Sequence, residues 1–476
     1  MQKSTFPWRA LIRVTTVFAA SLALTACASF SQDGGFGSVD QLTQARIGHS
    51  PSDQRTAEQS SAAAVRVAEL LKLPLSADSA VEVALLGNRG LQADYAALGL
   101  AEADRVSAGR LANPSIRFGR LSGHGGVEVD RAVLFNVLGW LTMPWAQAIE
   151  QGRFEQAQWQ AAADTLAVAA QARKAFFEAV ASQQLVGYHA QVMLAAEASN
   201  ELAQRMVQAG NFNALAQMRE QSFHSDARIN LARAQHQAVA AREQLIRAIG
   251  WAGDPLAIQL PERLPDLPGT PLALKDAVQL ALDTRLDVLM AKRSTEVLAR
   301  ALGLGQATRF INVLHLGYQN KSATGESLSR GFEVELELPL FDFGTARTAR
   351  AEALYMQSVH RTAEMALRAR SEVREKSSAY QTAYELARHY RDEVVPLRRR
   401  ISEENLLRYN GMLASVFDLL ADSKDQIAGV VGAVESLRDF WLAETQLQTA
   451  MVGGSPTGSS GVGVARAAGA STAAGH

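Results

Sequence analysis

The side chains whose types and spacing could do chemistry in this 476-residue chain are carboxylates, and they fall into two patterns. From Gly331 onward Glu333, Glu335 and Glu337 alternate with Phe332, Val334, Leu336 and Leu338, and Glu128 and Asp130 alternate with Val127 and Val129. A period of two sends successive side chains to opposite faces of a strand, so each run carries one apolar face and one acidic, wettable face. Such a face can line a water-filled lumen. A one-sided sheet packed on a core would alternate in the same way. In the second pattern Asp418, Asp422 and Asp425 are spaced as on a solvated helix face.

Enzyme chemistry is not written here. With Cys27 as the only cysteine no paired-cysteine metal site can form, and there is no H-E-x-x-H, no G-x-G-x-x-G after a strand, no phosphate-binding Walker pattern and no G-x-S-x-G elbow. His224, His236, His315, His360 and His389 lack ligand spacing. A non-enzyme without cofactor or bound metal is expected. The near-neutral formal charge of -1 gives no nucleic-acid signature either.

The elements that must position these carboxylates are long. After Gly344 no strong stop occurs until about Tyr409. Ala366, Val373, Tyr380, Ala387, Val394 and Ile401 recur every seven residues, with Ala369, Ala383, Tyr390 and Leu397 as a second row. That is coiled-coil spacing. At about 1.5 Å per residue the segment would reach on the order of 100 Å, several times a bilayer core. The mature part has no apolar run long enough for a membrane helix, so any span must come from strands in a closed barrel. Four strong strand candidates cannot close alone, so several copies would share one barrel.

The N-terminus reads as an export signal over 1–26: Lys3, Arg9 and Arg13 precede the apolar stretch Val14 to Leu24. It ends in Leu24-Thr25-Ala26-Cys27, which resembles a bacterial lipoprotein processing box and makes Cys27 the expected acylated residue, carrying a palmitate-type chain. Ala28, rather than Asp, follows it, which resembles sorting to the outer membrane. The expected divisions are an N-terminal extension at 27–74, a first repeat at 75–254, a linker at 255–271, a second repeat at 272–452 and a disordered tail at 453–476. Ala80-Val81-Glu82-Val83-Ala84-Leu85 matches Ala277-Val278-Gln279-Leu280-Ala281-Leu282, each followed at similar distance by a strand hairpin and a helical hairpin. Pro255, Pro261, Pro265, Pro268 and Pro271 mark the crossing between repeats.

Three local patterns, taken with the duplication, resemble the TolC-like outer-membrane efflux channels. They are the strand-to-helix run Leu338-Pro339-Leu340-Phe341-Asp342-Phe343-Gly344, the tip segment Tyr409-Asn410-Gly411-Met412-Leu413-Ala414-Ser415-Val416-Phe417-Asp418-Leu419-Leu420, and the paired Ala-Val-x-x-Ala-Leu helix starts. The resemblance covers about Leu75 to Met451. It implies a mainly α protein with a small transmembrane β-barrel: a homotrimer in which three four-stranded sheets close a 12-stranded barrel above a periplasmic helical tunnel. Its implied partners are outer-membrane lipid, a periplasmic adaptor (membrane fusion) protein and an inner-membrane efflux pump. Glu128, Asp130, Glu333, Glu335 and Glu337 would line the lumen. Gly210, Asn211, Gly411, Met412, Leu413, Ala414 and Ser415 would meet the adaptor. The periplasmic gate would use Asp418, with Asp422, Arg408 and Tyr409 beside it, although Arg408 and Tyr409 fit helix-end packing equally well; Ala216 holds the place of Asp418 in the first repeat.

Two departures stand out. The family's Asn-Pro after each opening helix is replaced by Asn88-Arg89-Gly90 and Thr284-Arg285-Leu286, and the second tip carries Met412 where a glycine is usual, with Gly411 one residue early. The alternative readings are a periplasmic adaptor-like lipoprotein without a barrel, opposed by two hairpins rather than one, and a secreted hydrolase, opposed by the missing motifs.

Overall fold

The computed structural model describes residues 29–123, 126–254, 257–273, 276–311, 313–337, 341 and 343–453. The export signal, Cys27 and Ala28, Pro255, the run Leu338 to Leu340, Asp342 and the tail beyond Gly453 lie outside the described residues. In chain order the elements are α1 (Phe36–Ile47), α2 (Ala57–Leu70), α3 (Ala77–Gly87), α4 (Arg89–Ala108), β1 (Ser115–Gly123), β2 (Gly126–Asn136), α5 (Val137–Gln208) and α6 (Ala214–Ile249). The second half repeats the order with α7 (Ala277–Thr284), α8 (Leu286–Ala307), β3 (Leu314–Ala323), β4 (Ser329–Leu336), α9 (Thr345–His389), a π-turn (Tyr390–Val394), α10 (Val395–Asn410) and α11 (Val416–Val452). Among the described residues no helix is long and apolar enough to cross a membrane.

Two compact units interleave along the chain. The first takes residues to 42, 93–162 and 288–367; the second takes 43–92, 163–287 and 368 onward. The first unit holds one antiparallel sheet in the order β1-β2-β3-β4. Its hairpins pair Ile116 with Val133, and Tyr318 with Phe332; the two hairpins join through Asp130 opposite Lys321.

In the second unit the matching helix starts supply the core. Ala80, Val83, Ala84, Phe176, Val180, Leu245 and Ile249 are buried in one cluster, each large side chain contributing about 1.5–3 kcal/mol by leaving water. The counterpart Ala277 and Ala281 pack on Val373 and Ala450. Bends replace the absent Asn-Pro in two ways. Asn88 takes an extended ψ of 111°, accepts the Leu91 N–H through its side chain and donates to the Ala248 carbonyl. Arg285 is extended too. Its buried guanidinium donates to Asp287, to Glu372 and to the Ala450 carbonyl. Each hairpin's returning helix ends in a left-handed glycine, Gly250 (φ 69°) and Gly453 (φ 81°), seated against the bend of its own repeat. A side chain on Gly250 would meet the Gly87 carbonyl at 2.6 Å.

The long helix after Gly344 runs to Asn410 as expected, with one correction. Pro396 has no N–H, and its ring crowds the carbonyl of Asp392, four residues back. The helix answers with the π-turn, which takes in one extra residue. The heptad rows hold through Ala369, Val373, Tyr380 and Ala387, all buried, and then rotate. Leu397 and Ile401 are 51 % and 38 % exposed, and Arg398 reaches across to pair with Asp425 of α11 at 3.0 Å in an exposed ion pair.

Candidate pore lining and hairpin tips

Register sorts the sheet's side chains onto two faces, because directly opposed residues share a face. Ile116, Phe118, Val133, Leu316, Phe332 and Val334 fall on one. Phe332 is 85 % exposed, so among the described residues this face packs on no core. Glu128, Asp130, Glu333 and Glu335 fall together on the other, as expected. Glu337 lies one residue past β4, its N–H reaching the Val313 carbonyl at 3.2 Å.

The acidic face is balanced by Lys and Arg side chains that the alternation of glutamates did not reveal. Lys321 pairs with Glu128 and lies 3.8 Å from Asp130. The His315 ring contacts Glu335, Nδ1 to Oε2 at 2.9 Å. Arg117 on β1 pairs with Glu333 on β4 at 2.6 Å. Strands sit about 4.8 Å apart, so in a flat sheet side chains on β1 and β4 would stand about 14 Å from each other. The pair closes because the sheet curls. The acidic face is the concave one; the convex face is apolar along the rungs of Ile116, Val133, Tyr318 and Phe332 and of Phe135, Leu316 and Val334, with Arg131, Asn320 and Arg330 on the rung beyond. Lys321 and His315 share parity in sequence with the strand that opposes the glutamates, a signal available to a register argument.

The two helical hairpins turn by one geometry. At the first tip Gly210 (φ 76°) donates to the Val207 carbonyl and Asn211 to Met206, both at 2.9 Å. At the second, Met412 (φ 57°) donates to Tyr409 at 2.9 Å and Leu413 to Arg408 at 2.8 Å. Met412 therefore holds the left-handed place of Gly210, and Gly411, at φ -80°, does not. Phe212 and Phe417 stack with centroids 4.3 Å apart and hold the tips side by side. Asn211, Gly411 and Ser415 are exposed with Met412 and Leu413; Ala414 is half-buried. Arg408 and Tyr409 are exposed, and their carbonyls serve the turn.

Asp418 has a local task. Its carboxylate accepts the Ser415 hydroxyl at 2.7 Å and the Ser415 N–H at 2.9 Å, while Ser415 Oγ accepts the Asp418 N–H. This capping box starts α11. The hydrogen bonds from Ser415 hold the Asp418 carboxyl below the ordinary carboxylate pKa. The first tip uses Asn213 instead, accepting the Ala216 N–H at 2.7 Å. Asp422 is not on a solvated face: it is 7 % exposed, and its Oδ2 meets no donor among the described residues. Near the tips Glu220 joins the hairpins, accepting from the Ser199 hydroxyl at 2.6 Å and from Lys424 at 3.2 Å, with Lys424 Nζ 3.6 Å above the Phe223 ring. Nothing in the residue spacing announced this tie. Among the described residues no group of three or more His, Cys, Asp or Glu side chains is placed to hold a metal ion.

No protein-family model matches the chain, and no curated protein does. Solved structures match along most of it. CusC, whose structures concern transmembrane channel formation, is 16% identical with a TM-score of 0.65, over 80% of this chain and 93% of that one. VceC, an outer membrane protein from Vibrio cholerae, is 16% identical with a TM-score of 0.64, over 79% and 95%. The CmeC outer membrane channel from Campylobacter jejuni is 14% identical with a TM-score of 0.64, over 87% and 92%. The fold is that of the TolC-like channels. At such identities the likeness is one of fold. Within the TolC-like fold both departures noted in the sequence are absorbed: Asn88 and Arg285 make the bends, and Met412 adopts the glycine conformation.

Proposed function

We propose that this protein is the outer-membrane channel of a tripartite efflux system, exporting passively what an inner-membrane pump and a periplasmic adaptor deliver. The observation that carries the reading is the curled sheet, with its charge-balanced concave face and its exposed apolar convex face. Such a sheet makes sense as one third of a barrel with water inside and lipid outside. Its two outer edges, β1 and β4, have no strand partner among the described residues, and lipid cannot satisfy open edges. Three copies closing β4 on the next β1 would give 12 strands. The 72 residues of α5 amount to about 108 Å of helical path, which supports a periplasmic reach. The tips, with exposed Met412 and Leu413, are the adaptor-facing surface in this reading, Asp418 of three copies forms the gate ring, and acylation of Cys27 adds an anchor.

The deciding experiment is mass measurement in detergent followed by planar-bilayer recording. A detergent-stable trimer that conducts is expected. A monodisperse monomer, soluble without detergent, overturns the reading. Metabolic labelling with palmitate tests Cys27 separately, with Cys27→Ser as the unlabelled control.

A further inference from the structure

The two junctions at which strands hand over to helices differ. β4 ends at Leu336 and α9 begins at Thr345, with Gly344 at φ 70° between them. β2 ends at Asn136 and α5 begins at the next residue, the Asn136 carboxamide accepting the Gly139 N–H at 2.7 Å. The helix leaves the sheet with no loop. Its opening stretch, the twelve residues Val137 to Ala148, contains no charged side chain, and the first charge is Glu150. Trp140, Leu141 and Trp145 lie exposed on it. A helical surface of this kind does not suit water. Phe135, on the same face as Leu316 and Val334, packs against Trp140 with ring centroids 5.7 Å apart, so the apolar surface of the sheet continues onto the helix without a break. At the same end of the sheet, just before β3, exposed Phe310 carries the Arg309 guanidinium 4.2 Å over its ring. Tryptophan and arginine-capped aromatics are the residue types that favour the headgroup level of a bilayer, with an apolar body and a polar or charged end.

We propose that the first three turns of α5 seat in a phospholipid leaflet, at its headgroup and upper acyl region, so that membrane contact passes from strand to helix in the first repeat. The partner is a phospholipid surface. The inference rests on the channel reading above, which places the convex sheet face in lipid. Without that reading the exposed face would have no stated occupant.

Because Cys27 is the only cysteine, a Cys27→Ser background allows clean labelling at single introduced positions. Leu141→Cys and Trp145→Cys, with Phe332→Cys and Glu333→Cys as references for the two sheet faces, would each carry a nitroxide. The protein is reconstituted in phosphatidylethanolamine/phosphatidylglycerol vesicles and exposed to oxygen and to a neutral nickel chelate. The expected result is an oxygen-to-nickel accessibility ratio at 141 and 145 at least about threefold above that at 333, with both sites shallower than 332. If 332 reports lipid while 141 and 145 are open to nickel, α5 starts in water. If they are shielded from both reagents, a second copy covers them. Either result overturns the inference and leaves the channel reading standing. If 332 itself behaves like 333, the channel reading fails, and this inference with it.

Discussion

Met412 occupies the left-handed region at φ 57°, where a side chain costs about 1 kcal/mol that glycine does not incur. Met412→Gly should therefore slow opening of the second tip, with amide exchange at 412 and 413 falling about fivefold. Asp418 predicts an acid response. Its folded pKa is depressed by the Ser415 hydrogen bonds, so the stabilisation is fully present above the ordinary value of 3.8 and is lost as pH falls through the lower folded value. Amide protection in the first turn of α11, corrected for intrinsic exchange, should drop in that acidic window, and Asp418→Asn should remove the pH dependence. Asp422 behaves in the opposite sense to a capping residue. A buried carboxylate oxygen without a donor is a burden, so Asp422→Asn should be neutral or stabilising by about 1 kcal/mol in denaturant unfolding. A clear loss of stability would instead mean that assembly supplies a donor.

At the level of elements, the joint between the two halves of the second repeat hangs on Arg285. It is 1 % exposed, and its partners Asp287 and Glu372 are only partly solvated. Arg285→Met leaves two carboxylates facing an apolar site and should cost about 3 kcal/mol by denaturant unfolding. Asn88→Ala, at the equivalent bend, removes a cap and should cost only about 1 kcal/mol. Much of this layer was legible beforehand. Alternation placed β2 and β4, heptads placed α9, and the paired Ala-Val starts placed α3 and α7, because period and burial are local properties of the sequence. The rest depends on distant partners. Arg285 reads as a lone charge until Glu372 and the Ala450 carbonyl are beside it. The heptad rows carry through Pro396 as if the helix were regular, and the extra residue of the π-turn before it is what moved Leu397 and Ile401 off the seam. The tip was legible by position: Met412, in the place where a glycine is usual, takes the left-handed conformation, and Gly411 one residue early does not.

For the whole molecule, the concave sheet face matters through its balance of charge. In a closed barrel Lys321 would offset Glu128 and Asp130 in every copy. Lys321→Ala should therefore raise the cation preference of the reconstituted channel, read as a shifted reversal potential under a salt gradient, and the shift should shrink at high salt. The crossing segment between the repeats has a consequence of another kind. Its prolines have no N–H to donate, but carbonyls of the segment are taken: Ile258 by Arg242, Pro265 by Trp441, and Pro268 and Gly269 by Tyr384. The Tyr380 hydroxyl, in turn, accepts the Leu272 N–H at 2.9 Å. Ile258 and Leu264 are buried within the helical core. A peptide bond cut here by a protease would leave both new ends gripped by side chains of the long helices. The two repeats would stay together as a nicked pair, and fragments expressed separately would have the means to find one another.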